Sequence, residues 1–125
     1  MQESSRIISY RDLKIWQRSK AYAVIIYKIT KIFPASELYG LTSQMRRSAI
    51  SIPSNIAEGF RRGSQKEKLH FLRIAFGSSA ELDTQLAIST ELEYLENKTY
   101  LELSRELNEI MRMINSALQN MEKEK

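Results

Sequence analysis

The sequence predicts an all-α protein, an antiparallel up-down four-helix bundle. Three observations carry this. Apolar residues recur at three- and four-residue steps along four separate stretches. No stretch alternates apolar and polar as a half-buried strand does. The breaks between stretches are marked by proline, glycine or a capping signature. A chain of 125 residues fits one domain, 1–125 with a core of about 10–121, that buries a core without disulfides or metal.

The first helix begins near Asp12, read as its N-cap, and continues LKIWQRSKAYAVIIYKITKIF to Pro34, which ends it. Ile15, Tyr22, Ile26, Ile29 and Phe33 share one face, but Trp16, Ala23, Val24, Ile25 and Tyr27 carry apolar character around most of the cylinder. A chain this short cannot surround such a helix. Its second face is therefore expected to meet another subunit, which predicts a homo-oligomer.

The connector PASELYGL turns at Gly40, and Thr42 is read as the cap of the second helix. That helix runs to about Arg62 through Met45, Ala49, Ile52, Ile56 and Phe60, with Gly63 just past its end. Pro53 lies inside it, so a single helix kinked at Pro53 is expected. Ser64-Gln65-Lys66-Glu67 reads as a capping box that opens the third helix, the serine hydroxyl and the carboxylate each serving an unpaired amide. Leu72, Ala75, Ser79, Leu82 and Leu86 form its seam. Gly77 costs about 1 kcal/mol against alanine in a helix interior, so a close packing partner or a functional contact is expected there.

Thr99-Tyr100-Leu101-Glu102 repeats the capping-box signature and is read as the start of the fourth helix. Leu103, Leu107, Ile110, Ile114, Ala117 and Met121 then fall on successive a and d positions of a heptad. The charged tail MEKEK is expected to fray.

Composition narrows the function. The chain has no cysteine, which excludes thiol catalysis and thiolate metal sites and fits a reducing, cytoplasmic setting. The N-terminal MQESSRIISYRD has no apolar h-region, and the longest apolar run, Tyr22 to Tyr27, falls far short of a span, so no membrane role is expected. Glu67 and His70 make one Glu-x-x-His spacing, where ferritin-like bundles use two, and Glu67 has a capping role besides. His70 is the only histidine, and no glycine-rich phosphate loop occurs. These features point to no metal, no cofactor and no enzymatic activity.

The net charge of +4 is unevenly spread: fourteen Lys/Arg face five Asp/Glu up to Phe76, and five face ten from Gly77 onward. Two readings are open. A basic face meets an anionic partner such as nucleic acid, or the two halves attract each other within the fold.

For the first reading the candidate nucleic-acid-binding residues are Arg46, Arg47, Arg61, Arg62, Lys66, Lys68 and Arg73, several of which are expected to converge at one end of the bundle. Lys14, Arg18 and Lys20 would extend the patch, and Tyr10 or Trp16 would stack on bases if exposed. Trp16 is instead read as core or interface. Pro53, Asn55, Glu58, Gly59 and Glu81 are read as structural, with Glu58 pairing to a neighbouring helix and Glu81 receiving Arg46 or Arg47 across the bundle.

Three strings in the chain, YRDLKIWQ at Tyr10 to Gln17, YGLTSQMRRSAISIPSNIAEGFRR at Tyr39 to Arg62 and FLRIAFGSSAELDTQL at Phe71 to Leu86, are similar to a known family. It is the four-helix bundle family that includes proteins encoded in intervening sequences of bacterial 23S ribosomal RNA genes. The resemblance implies a cytoplasmic bacterial protein that forms ring-like homopentamers, and no established activity. A related branch, the accessory variability proteins of diversity-generating retroelements, resembles the same bundle, with a basic surface that binds nucleic acid and a reverse transcriptase. The expected function is thus a non-enzymatic oligomeric bundle binding structured RNA or DNA. The alternative is an oligomeric scaffold that binds a protein partner without nucleic acid.

Overall fold

The computed structural model describes residues 7–123. Four helices account for most of them: α1 Lys14–Ile29, α2 Leu41–Phe60, α3 Gln65–Glu91 and α4 Asn97–Lys123. No strand occurs among the described residues. The last two residues of the tail expected to fray lie outside the described range, and Met121 to Lys123 belong to α4.

α1 starts later than the sequence suggests. Ser9 and Asp12 instead close a 3₁₀ turn over Tyr10–Asp12: the Ser9 hydroxyl accepts from the Arg11 amide, and Asp12 Oδ2 accepts from the amides of Ile8 and Ser9, at 3.0–3.1 Å. Asp12 thus caps the turn before α1, and Leu13 takes the N-cap position without a side-chain bond. A second 3₁₀ turn, Thr30–Ile32, follows α1 up to Phe33 and Pro34.

Thr42 is not the cap of α2 but a buried residue in its first turn. The helix opens one residue earlier, and Glu37 Oε1 in the connector accepts from the Leu41 amide at 3.1 Å. A carboxylate placed there also suits the positive end of the helix dipole. α2 is continuous through Pro53 to Phe60. Ser64 caps α3 as expected, accepting from the Glu67 amide at 3.1 Å; the Glu67 carboxylate, however, takes the Ser64 hydroxyl rather than a backbone amide.

α3 ends in a Schellman arrangement. Glu93 takes the left-handed position with φ 65°, its amide bonds to Thr90 carbonyl and the Tyr94 amide reaches Ser89 carbonyl, both at 2.9 Å. α4 then begins at Asn97, two residues before the predicted cap, so Thr99 lies inside the first turn.

Contacts between the helices run in opposite numerical directions. Met45 meets Ser89, Ser51 meets Ser78 and Phe60 meets Lys68 between α2 and α3. Arg18 meets Glu106, and the buried Tyr22 hydroxyl donates to Leu103 carbonyl at 2.7 Å, between α1 and α4. Burial first, and then the nearby carboxylates of Asp83 and Glu106, raise the Tyr22 phenol above the ordinary tyrosine range.

The core is built from Tyr22 and Ile26 of α1, Met45, Ala49, Ile52 and Ile56 of α2, Leu69, Ala75, Leu82 and Leu86 of α3, and Leu103, Leu107, Ile110 and Ile114 of α4. The next inward position of α4 is Leu118, not the heptad's Ala117. A helix of 3.6 residues per turn drifts off a strict 3.5-residue repeat, so the inward face moves on by one. Buried hydroxyls of Thr30, Ser79 and Ser89 donate to the carbonyl four residues back, at 2.7–2.9 Å, so they enter the core with a partner.

The two glycines inside helices differ. A Cβ on Gly59 would stand 3.1 Å from Phe71 Cβ and 3.4 Å from Lys68 carbonyl, whereas a Cβ on Gly77 would meet nothing within 4 Å. The close approach expected at Gly77 is found at Gly59. Gly77→Ala should therefore stabilise the protein by about 1 kcal/mol through helix propensity. Gly59→Ala should destabilise it by about 1 kcal/mol, because overpacking outweighs that gain. Urea unfolding of both variants checks the opposite signs.

Candidate functional site

The seven candidate cations fall into two groups along the bundle. Arg47 and Arg61 are fourteen positions apart on one helix, about 21 Å at 1.5 Å per residue. Arg61, Arg62, Lys66, Lys68 and Arg73 gather about the exit of α2 and the first turns of α3, as expected of several of the seven, whereas Arg46 and Arg47 lie apart at the start of α2.

At the start of α2, Arg46 turns inward to the end of α1. Its Nε donates to Thr30 Oγ1 at 2.9 Å, a terminal nitrogen donates to Tyr27 carbonyl at 3.2 Å, and the guanidinium lies 4.7 Å from the Tyr27 ring centroid. The Tyr27 carbonyl lies in the last turn of α1, where helical donors run out, so a cation there adds a donor and suits the dipole. Arg47 is exposed. It borders a polar depression with Ser48, Ser51, Ser78 and Glu81, yet forms no ion pair among the described residues. Neither arginine is therefore received by Glu81: Arg46 reaches α1 and Arg47 shares only the depression.

At the exit of α2 the cations divide again. Arg62, two residues past the end of α2, pairs with Glu58 of that helix at 2.5 Å, approaches Glu67 at 3.9 Å and lies 4.8 Å from the Phe71 ring centroid. Glu58 is thus paired to the segment that follows α2 rather than to a neighbouring helix. Lys68 donates to Phe60 carbonyl at 3.0 Å, closing the end of α2. Arg73 binds Glu122 of α4 at 2.6 Å. Arg61 and Lys66 are exposed and form no ion pair among the described residues. Arg61 borders a depression with Ser9, Tyr10 and Phe60, which brings the turn before α1 to the same end.

That turn contributes a residue the sequence reading missed. Arg11 lies 5.7 Å from the Tyr10 ring centroid and 5.5 Å from that of Trp16, and Lys20 lies 5.2 Å from Trp16. Tyr10 and Trp16 meet edge to face at 5.2 Å. Trp16 is half-buried against the core, so its ring packs on one side and carries cations on the other. The available signal was Ser9-x-x-Asp12, a capping box that fixes where Arg11 sits. Arg18, in contrast, is held by a two-pronged bond to Glu106 at 2.7 and 3.1 Å.

The structural candidates take definite places. Asn55 Nδ2 donates to Ser51 carbonyl and hydroxyl at 2.8 and 2.9 Å, and Ser51 Oγ lies 2.8 Å from Ser78 Oγ of α3. Pro53 and Gly59 are buried, and Glu81 is exposed. His70 is exposed beside Phe71. Among the described residues no group of three or more His, Asp or Glu side chains is placed to hold a metal ion. No helix among them is long and apolar enough to cross a membrane.

Residues 11–116 match the family model described as 23S rRNA-intervening sequence protein. A solved structure of a protein with unknown function from the S23 ribosomal protein family of Bacteroides thetaiotaomicron is 24% identical, with a TM-score of 0.79 over 84% of this chain and 95% of that one. At that identity the likeness concerns the fold. A search of curated proteins finds no match. Because the family model spans most of the chain, from the turn before α1 into the last turns of α4, the protein belongs to the 23S rRNA-intervening sequence protein family.

Proposed function

We propose that this chain is a non-enzymatic, oligomeric bundle of the cytoplasm that binds structured RNA or DNA through one basic end. The observation that carries the proposal is that Arg61 and Lys66, on either side of the α2–α3 turn, are exposed without an ion pair among the described residues, beside Tyr10 and the cation Arg11. In this reading the helices run up and down in turn, with α2 bent at Pro53. The exit of α2 and the starts of α1 and α3 then share that end. Guanidinium forks match phosphate oxygens, so contacts fall mainly on the backbone of the nucleic acid.

Oligomerisation is supported by the outer face of α1, where Val24 and Ile25 are 48% and 41% exposed beside the exposed Tyr27. The resemblance implies a homopentamer. The same face favours a second reading, an oligomeric scaffold whose basic end serves a protein partner.

Anisotropy measurements with an RNA hairpin and a DNA duplex separate the two. If six phosphates are neutralised, log affinity falls with log salt at a slope of roughly −5, and Arg61→Ala with Lys66→Ala reduces that slope by roughly 2. Salt-insensitive or absent binding overturns the nucleic-acid reading and leaves the scaffold. Arg46→Ala should lower stability by about 1–2 kcal/mol in urea unfolding, by removing the bonds to α1, while leaving the salt slope unchanged. Light scattering should give a multiple of the 14.6 kDa chain mass; Val24→Glu with Ile25→Glu should shift it toward the monomer.

A further inference from the structure

At the end where α1 begins and α2 exits, the four helices leave a cavity of about 190 Å³. Its lining includes Leu13 and Ile15, Ile56 and Phe60 of α2, Leu72 of α3 and Met121 of α4. It opens to solvent on one side, and its lining is almost wholly apolar, which suits an apolar guest; an engineered closed cavity of about 150 Å³ binds benzene.

One lining residue, Lys68, is charged. Its ammonium donates to Phe60 carbonyl at 3.0 Å, and it forms no ion pair among the described residues. Its neighbours differ: Arg62 and Arg73 each have a carboxylate within 2.6 Å. An ammonium has three donors, so Lys68 keeps two beyond its bond to Phe60. A half-buried cation beside a hydrocarbon lining favours an anion with an apolar body and disfavours an amine.

We propose that this cavity is a binding site for a small monocarboxylic acid, whose apolar body of roughly six to eight carbons fills the space while its carboxylate meets Lys68. The site is separate from the exposed cations Arg61 and Lys66 and does not depend on nucleic-acid binding. Phe60 joins the two parts, because it lines the cavity and its carbonyl holds the ammonium.

Calorimetric titration of the full chain at low salt with octanoate and with octan-1-ol tests it. Octanoate should bind saturably and about ten-fold more tightly than the alcohol, the effect of a hydrogen bond to a charged group. Lys68→Met should bring the two affinities together by weakening octanoate alone. Ala117→Leu, which adds bulk to the lining, should remove binding of both while the helical circular dichroism is retained. Equal affinities in the unaltered chain, absence of saturable octanoate binding, or octanoate affinity unchanged by Lys68→Met would each overturn the site. The first of these comparisons needs no variant, so it stands even if Ala117→Leu fails to fold. Hairpin RNA binding measured on the same sample reports on the basic end separately.

Discussion

The close approach of α2 to α3 is the constraint on which the rest of the bundle depends. Gly59 meets Phe71, Ser51 meets Ser78, and Ala49 and Ala75 are fully buried. Small side chains on these faces let the backbones come together, and the larger Ile52, Ile56, Leu82 and Leu86 then reach toward α1 and α4. The Ser51 and Ser78 hydroxyls pair with one another and the Ser79 hydroxyl with a carbonyl a turn away, which lets them enter the seam without weakening the core; Gln85 Oε1, beside them, is buried without a partner among the described residues. The short α2–α3 turn brings the Lys68 ammonium to the Phe60 carbonyl at the end of α2.

Helix ends explain why the cations divide. The last carbonyls of a helix lack donors, and a long basic side chain from the next helix supplies one. Arg46 does this for α1 and Lys68 for α2. Arg18 and Arg73 join the basic half of the sequence to the acidic half through Glu106 and Glu122. Attraction between the halves and a basic face are therefore not competing accounts of the charge pattern. The first engages particular cations, and the second remains with those that neither close a helix nor meet a carboxylate.

Much of the fold was legible because it is written locally. The three- and four-residue steps located all four helices, and Ser64 announced α3 because its partner is three residues away. What failed to show was what depends on distance in the chain. Thr42 looked like a cap, but the amide is served by Glu37 from the connector, a residue whose carboxylate carries no capping signature at that spacing. Thr99 matched the capping pattern, yet α4 extends two residues before it. The site was less legible than the fold. Arg46 and Arg47 are adjacent and alike in sequence, but their directions differ by a hundred degrees around the helix, so one faces α1 and the other solvent. Only the packing tells which is which.

Glu37 has a consequence for how the bundle opens. One of its oxygens holds the first amide of α2 and the other accepts from the Tyr94 hydroxyl at 2.9 Å, while Tyr94 packs on Phe33 at 5.3 Å between ring centroids. The α1–α2 and α3–α4 connectors, fifty-seven residues apart in sequence, are thereby tied through one carboxylate. Local opening of either one removes a bond from the other, so this end behaves as a single cooperative unit. At the opposite end Ser64, Glu67 and Lys68 are each bonded within eight residues, while Gln65 donates to the Met121 carbonyl and Arg73 to Glu122 of α4. Loosening of the α2–α3 turn therefore removes bonds from the end of α4 as well. Both ends of the bundle are thus tied across the chain, one through a connector carboxylate and the other through the last turns of α4, and the exposed cations Arg61 and Lys66 flank the second.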